Sequence, residues 1–185
     1  DVGSTKVSIV AAAKESLPNP SMFVGSHPLA GSEKKGVEFA SVDLFADSTC
    51  LMTPVDDTHR VAAAKIKKFW TLLGLQVRIL TPAEHDAVLA QVSHLPHIVA
   101  FALMNTISHE ALTFGAQGLK DTTRIAGSTP QIWADICLAN SGNIIKVLDE
   151  MAGNLAVVRK AIIEGDEKTL LNEFKQAKAK RDRIK

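Results

Sequence analysis

The residues of this 185-residue chain best suited to chemistry are histidines, one arginine and a few hydroxyls set beside glycine or proline. His27 stands in GSHPLAGSEKKG, residues 25–36, ahead of Pro28 and a run that holds Ser32, Glu33 and two lysines. Glycine and proline at this density predict a loop with defined backbone angles. An imidazole there titrates near neutral pH and is within reach of a ligand. The same residues also fit an ordinary surface turn with a solvated histidine.

A second signal lies in KDTTRIAGSTPQIW, residues 120–133. Ser128, Thr129 and Pro130 read as a helix start. Arg124 sits just upstream among small hydroxyl residues, and Trp133 falls on the first turn of the helix. Arginine grips a carboxylate through two parallel hydrogen bonds; an internal pair with Asp121 or Asp135 fits the spacing equally well. DVGSTK, residues 1–6, reads as a strand end that presents Ser4 on a loop, with Lys6 opening a helix.

His85, His94 and His97 invite a metal, and helical geometry discourages one. At about 100° per residue, the nine steps from His85 to His94 place them on opposite faces. His94 and His97 lie three apart but lack the third and fourth ligands that zinc requires. No metal is expected. In SHLPH, residues 93–97, Pro96 removes a backbone hydrogen bond and predicts a kink beside two histidines, a plausible pocket wall. No G-x-G-x-x-G occurs, so the pyrophosphate site of a dinucleotide is absent from these residues.

The elements that must position these groups fall into two halves. SMFVGSHP predicts a strand that runs into the GSHPLAG loop, and STCLMTPV a second strand. Residues 57–73 read as an amphipathic helix with Val61, Ile66, Phe69, Trp70 and Leu73 on or near one face, ended by Gly74. LQVRIL is a third strand. This order belongs to an open α/β sheet, whose ligand loops lie beyond the carboxyl ends of strands. After Thr81-Pro82 the pattern becomes helical. Residues 83–112 predict one long helix interrupted only by Pro96, apolar nearly all round between 86 and 107 and so expected to be central and buried. A glycine-containing loop follows, then helices over about 130–150, 153–164 and 166–182, with no strand in this half. The KQAKAKRDRIK tail reads as cations at a helix C-terminus.

Composition narrows the partners. Hydrophobic residues make up 46% of the chain, enough for a sizeable core. With 21 basic and 20 acidic side chains the formal net charge is +1, and aromatics are 5%; neither feature calls for nucleic acid or an anionic membrane. No run of 18 apolar residues predicts a membrane span. Cys50 and Cys137 form no metal-type pair and no disulfide framework, which fits a reduced, cytoplasmic protein. The start at Asp1 reads as the middle of a longer chain.

Taken in order, DVGSTK, GSHPLAGSEKKG, EHD at 84–86, SHLPH and GLKDTTRIAGSTPQIWADICLAN at 118–140 resemble the prephenate dehydrogenases of tyrosine biosynthesis over nearly the whole chain. The resemblance implies the tail of a Rossmann-type nucleotide-binding α/β domain, residues 1–81, followed by an all-α substrate-binding and dimerisation domain, residues 82–185, that pairs with its twin in a homodimer. It implies oxidative decarboxylation of prephenate to 4-hydroxyphenylpyruvate with hydride transfer to NAD or NADP; some members act on arogenate and give tyrosine directly. By motif, His27 matches the histidine that hydrogen-bonds the ring hydroxyl, and Ser4 the serine that orients it beside the nicotinamide, so both also touch the cofactor. Arg124 matches the arginine that binds a substrate carboxylate. His97 and Trp133 match pocket residues, Ser32 and Glu33 positions at its mouth, and Asp121 an acidic residue near the entrance.

One departure from the family pattern is plain: its glycine-rich fingerprint, expected upstream of Asp1, is missing, so the isolated chain is expected to be inactive or nearly so. Two other readings compete. A non-catalytic ligand-binding or dimerisation module explains the missing glycines but not the presence of His27 with Arg124. Another hydroxy-acid dehydrogenase with a helical second domain lacks SHLPH followed by KDTTR at this distance.

Overall fold

A computed structural model describes residues 1–30 and 40–184. It divides into two compact units, Asp1–Ile144 and Ile145–Lys185. The first opens with helix α1 (Val7–Ser16), followed by a short 3-10 turn (Pro20–Met22) and a three-stranded sheet. Strands β1 (Gly25–Leu29), β2 (Thr49–Thr53) and β3 (Gln76–Ile79) lie in sequence order. β1 pairs antiparallel with β2, and β2 pairs parallel with β3 across helix α2 (Arg60–Leu72).

Cys50, Leu51, Met52 and Thr53 of β2 are all buried, because a central strand covered on both faces has no solvent side. Cys50 and Met52 pack with Val24, Ala62, Trp70 and Leu75 in the core. On α2 the inward residues are Ala62, Ile66 and Trp70, whereas Val61, Phe69 and Leu73 are exposed. The buried stripe is therefore a narrow i, i+4 row, one residue out of step with the broader face predicted from apolarity. Gly74 ends this segment with φ 92°, a left-handed conformation that glycine adopts at little cost.

The loop reading of GSHPLAG is corrected over its first five residues, four of which the strand expected over SMFVGSHP already included. Residues Gly25 to Leu29 form a strand, with His27 opposite Leu51 and Pro28 opposite Cys50. Proline is tolerated because β1 lies at one end of this sheet, where a missing N–H breaks no second ladder. Gly25 is there for space: a Cβ would come within 2.3 Å of Thr53 Oγ1 on the facing strand. The glycine thus sets how closely the two strands approach, rather than a turn.

Helix α3 (Pro82–Leu89) starts with a reciprocal cap in which Thr81 accepts from the Glu84 amide and Glu84 accepts from the Thr81 amide. A π turn (Ala90–His94) then leads into α4 (Leu95–Thr106), which carries Pro96 in its first turn. The wide turn takes up the hydrogen-bonding gap at Pro96, so the predicted interruption falls before the proline. The run then stops at Thr106, and residues His109–Leu112 form a separate short helix, α5. Pro82–Thr106 is long and apolar enough to cross a membrane by length and composition. Its fully buried members include His85, Asp86 and His94, all engaged with neighbouring elements described below. Its apolar side chains are less buried than the sequence implied: Val88 and Val92 are exposed, and only Ala100 of α4 is buried within the chain.

The expected loop after residue 112 is mostly helical, with α6 (Gln117–Thr123) and a 3-10 turn (Arg124–Gly127). Threonine side chains Thr122 and Thr123 bond back to the carbonyls of Gly118 and Leu119, which lets a glycine- and threonine-rich stretch hold helical form. Helix α7 (Pro130–Ala139) ends at Asn140, and α8 (Ser141–Glu164) follows at once, so the break lies about ten residues earlier than the 150–153 boundary predicted. In the second unit, the chain leaves α8 through Gly165, φ 66°, and Asp166 caps α9 (Glu167–Arg181) by accepting from the Thr169 amide. Among the described residues no strand occurs after β3.

Candidate active site

The centre of the first unit is a buried polar chain rather than an apolar one. Asp86 on α3 accepts from the backbone N–H groups of Lys6 and Val7, 2.8 and 2.9 Å, and so caps the start of α1 from another helix. Its Oδ1 also lies 2.8 Å from His85 Nδ1. Burial alone would raise the Asp86 carboxyl, but the hydrogen bonds from His85, Val7 and Lys6 outweigh it and hold it below the usual carboxylate range. A carboxylate can only accept, so the His85 proton sits on Nδ1.

His85 Nε2 in turn lies 3.0 Å from Nδ1 of His27 on β1. His27 is pushed down to about 3, chiefly by burial and then by His85, Lys6 and His94, against the opposing pull of Asp86. It is a neutral imidazole at physiological pH. Beneath it, the Lys6 side chain is fully buried and ion-paired with Asp1. Burial lowers Lys6 to about 8, partly offset by Asp86 and Cys50.

The chain continues away from β1. Asn140, buried at the end of α7, donates to the Asp86 carbonyl at 2.7 Å and lies 3.2 Å from His94 Nδ1. Its own amide oxygen accepts from Asn143 at 2.8 Å. His94 is lowered to about 4 by burial, against Asp86 and the nearby Ser4 backbone; its Nε2 is buried and has no hydrogen-bond partner among the described residues. His85 and His94 therefore belong to one network, joined through Asp86 and Asn140. The π turn between them rotates less per residue than an α-helix, so the two histidines are not as far apart around the axis as a regular helix would set them.

Trp133 joins the two parts of the site. Its ring meets His94 edge-on at 6.1 Å and stacks on His97 at 3.7 Å. His97 Nδ1 donates to the Ser93 carbonyl at 2.9 Å. Burial lowers the His97 pKa; the Ser93 contact opposes this and the nearby Arg124 guanidinium adds to it. The structure thus gathers His27, His97, Trp133 and Arg124, with the Ser4 backbone beside His94, around the α3–α4 segment. Asp121 lies exposed on α6, where it accepts from Gln117 at 2.6 Å and takes no part in this network. Ser32 and Glu33 lie outside the described residues.

The sequence pattern assigned no site role to Asp86, Asn140 or Lys6, offered His85 as a metal ligand or a core histidine, and placed His94 beside the kink at Pro96. The signal was present in the EHD motif, in which an acid next to a histidine on an otherwise apolar helix marks a paired buried group. Among the described residues no cluster of three or more His, Cys, Asp or Glu side chains is arranged to hold a metal ion. A separate cavity of about 610 Å³, lined by residues including Val10, Lys14, Phe23, Val55 and Pro82, contains none of the site residues predicted from the sequence.

Comparison with known proteins agrees with this geometry. Residues 1–79 match the family model described as prephenate dehydrogenase, nucleotide-binding domain, and residues 81–176 match prephenate dehydrogenase, dimerization domain. The chain is 35% identical to a cyclohexadienyl dehydrogenase of Zymomonas mobilis, over all of this chain and 65% of that protein. It is 37% identical to a prephenate dehydrogenase of Bacillus subtilis, over 98% of this chain and 51% of that protein. It thus spans about half to two thirds of the length of these relatives. The crystal structure of prephenate dehydrogenase from Aquifex aeolicus, in complex with hydroxyphenyl propionate and NAD+, superimposes with a TM-score of 0.91 at 36% identity, covering all of this chain and 66% of that one. With both domain models matched in order along one polypeptide, the chain belongs to the prephenate dehydrogenase family.

Proposed function

We propose that this chain supplies the catalytic histidine and the substrate site of an enzyme that oxidatively decarboxylates prephenate in tyrosine biosynthesis. The observation that carries the reading is His27, a half-buried imidazole kept neutral by its surroundings and anchored through Nδ1, in a chain that matches the family along both domains. The domain division in this reading is 1–81 for the end of the nucleotide-binding part and 82–185 for the helical part.

The substrate is a dianion with a hydroxyl on a ring that needs only the loss of hydride and carbon dioxide to become aromatic. His27 takes the hydroxyl proton as the ring carbon loses its hydride, leaving a carbonyl oxygen on the ring. The carbon–carboxylate bond then breaks, carbon dioxide departs, and its electron pair enters the ring. The oxygen becomes a phenolate and recovers the proton from His27. Nothing is left over: one hydride and one carbon dioxide are lost, and the histidine ends as it began. Arg124 holds a substrate carboxylate, and the stacked His97 and Trp133 form a wall against the ring or side chain. In this reading Asp121, Ser32 and Glu33 act at the mouth.

A nicotinamide dinucleotide, when bound, accepts the hydride. Ser4, in the turn that leads into α1, and His27 on β1 fit its redox end, since a hydroxyl and a neutral imidazole are the groups a hydride-transfer centre needs around an alcohol. Among the described residues no glycine-rich turn is present to cradle the phosphates.

The helical part pairs with a second copy in this reading, in a cytoplasmic homodimer. Large apolar side chains such as Leu155, Ile162, Ile163, Leu171 and Phe174 are exposed within the single chain, a cost that pairing removes.

The test is reduction of NAD or NADP, followed by absorbance, with the protein at its full natural length and either prephenate or arogenate. Turnover with prephenate that falls on the order of 100- to 10,000-fold in kcat in His27→Asn is expected. Binding of prephenate without any turnover would instead favour a non-catalytic binding module. Faster turnover of arogenate would reassign the substrate while keeping the chemistry.

A further inference from the structure

We infer that His85 and Asp86 act as a positioning pair for His27: they fix its tautomer so that the proton lies on Nδ1 and the lone pair of Nε2 is left to receive the substrate's proton. The inference rests on the function proposed above and adds to it two residues for which the sequence motif alone gave no role.

Three side chains form a relay from acceptor to donor. Asp86 is tied at both oxygens, Oδ1 to the Lys6 amide and Oδ2 to the Val7 amide, so its orientation is set by the first turn of α1. It accepts from His85 Nδ1 at 2.8 Å. A neutral ring protonated at Nδ1 presents a bare Nε2, and that atom lies 3.0 Å from His27 Nδ1. One nitrogen at this contact must donate, and His85 Nε2 has no proton to give. His27 therefore donates through Nδ1, and its Nε2 carries the lone pair. His85 is fully buried, so water does not compete for either bond. The rings of His27 and His85 are tilted by 53° with centroids 5.2 Å apart, which is an in-line hydrogen-bond arrangement rather than a stack.

The pair also serves the charge that forms during reaction. When His27 takes the substrate proton it becomes an imidazolium bonded through His85 to a carboxylate two hydrogen bonds away. Among the described residues the other titratable groups near it are Lys6 before α1, Cys50 on β2 and His94 on the π turn, and none of these is an anion positioned to take that part. Among the described residues Asp86 is the single fully buried acidic side chain, and its capping of α1 places it next to the turn that carries Ser4.

The test uses two variants at His85 with different consequences. His85→Asn keeps a donor for Asp86 and loses contact with His27. His85→Gln reaches toward the Nε2 position and returns a partner to His27 Nδ1. In the full-length protein His85→Asn is expected to lower kcat for prephenate on the order of 100-fold with KM changed less than about 3-fold, and to move the acid limb of the kcat–pH profile; His85→Gln recovers part of that loss. Alongside, 15N NMR of the imidazole nitrogens in the ligand-free protein should show His27 protonated at Nδ1, and this preference should weaken in His85→Asn.

Wild-type kcat in His85→Asn, in a protein that His27→Asn inactivates, would overturn the positioning role while leaving the dehydrogenase reading intact. If the Asn variant does not fold, the Gln variant and the tautomer measurement decide. If the wild type turns over neither prephenate nor arogenate, the functional reading fails, and the spectrum alone judges the pair: a His27 proton found on Nε2 overturns it.

Discussion

The imidazole of His97 lies flat on the indole of Trp133, with ring centroids 3.7 Å apart and planes inclined by 19°. One residue comes from α4 and the other from the first turn of α7, so the contact fastens two helices that are far apart in sequence. His97 is held at its other edge by the Ser93 carbonyl, and the pair forms a rigid wall beside Arg124.

Removing that wall should weaken substrate binding more than chemistry. Trp133→Ala is expected to raise KM for prephenate about 10-fold, the equivalent of roughly 1.4 kcal/mol of lost stacking and packing, with kcat within a few-fold of wild type. Trp133→Phe should keep most of the affinity. Steady-state kinetics at fixed cofactor checks this, and a fall in kcat at unchanged KM would remove Trp133 from the binding wall.

Stability should fall in acid below the ordinary histidine range. His27 and His94 have folded pKa values lowered to about 3 and about 4 from the ordinary 6.5. Above pH 6.5 both are neutral in either state. Below it the unfolded chain takes up protons that the folded chain refuses, so stability rises with pH between about 4 and 6.5, by at most about 1.4 kcal/mol per pH unit for each group. Urea unfolding followed by circular dichroism at several pH values gives the slope. His27→Asn should make it shallower; a flat profile in the wild type would show that neither ring is buried in the neutral form.

Crowding at Gly25 offers a sharper test of strand geometry. Gly25→Ala places a Cβ within 2.3 Å of Thr53 Oγ1, an overlap that costs roughly 1–3 kcal/mol and pushes β1 and His27 outward. Thr53 Oγ1 has no hydrogen-bond partner among the described residues, so Thr53→Ala should itself be mild. The double variant Gly25→Ala/Thr53→Ala is then expected to recover a good part of the loss in thermal or urea unfolding. Strictly additive losses would place the strain elsewhere.

Asn140→Ala should be costly despite lying outside the reacting groups. It removes the donor to the Asp86 carbonyl and the partner of His94, leaving two buried polar atoms bare, for a loss of about 1–3 kcal/mol by chemical unfolding. Thr81→Ala is a useful comparison: loss of the exposed cap on α3 should cost about 1 kcal/mol with kcat unchanged. Equal effects of the two on stability would mean the Asn140 network contributes no more than an ordinary helix cap.

Much of the site was legible before any coordinates. The strand, helix, strand order through residue 80, the termination at Gly74 and the helical second half follow from local patterns, because apolar period and turn residues act over a few positions. The ordered motifs around His27, His97, Arg124 and Trp133 were likewise readable one by one. Local pattern misled where the partner lay far away in sequence. GSHPL is a strand because Thr49 to Thr53 offers it a ladder, and that pairing outweighs the turn preference of Gly25 and Pro28. The inward row of α2 runs through Ala62 and Trp70 because those residues meet Cys50 and Met52 of β2 together with Val24 and Leu75.

What the sequence determined by itself was the inventory: two kinds of architecture, a histidine fit for proton transfer and an arginine fit for a carboxylate. Tertiary structure alone decided which groups share a proton. Asp86 meets Lys6 and Val7 across some eighty residues, and His85 meets His27 across nearly sixty. Asn140 ties His94 to Asp86 across more than forty residues. A hydrogen bond depends on tenths of an ångström and on direction, and neither is encoded in spacing along the chain. The chemistry of His27 is written in its residue type; its tautomer is written in the packing of α3 against β1.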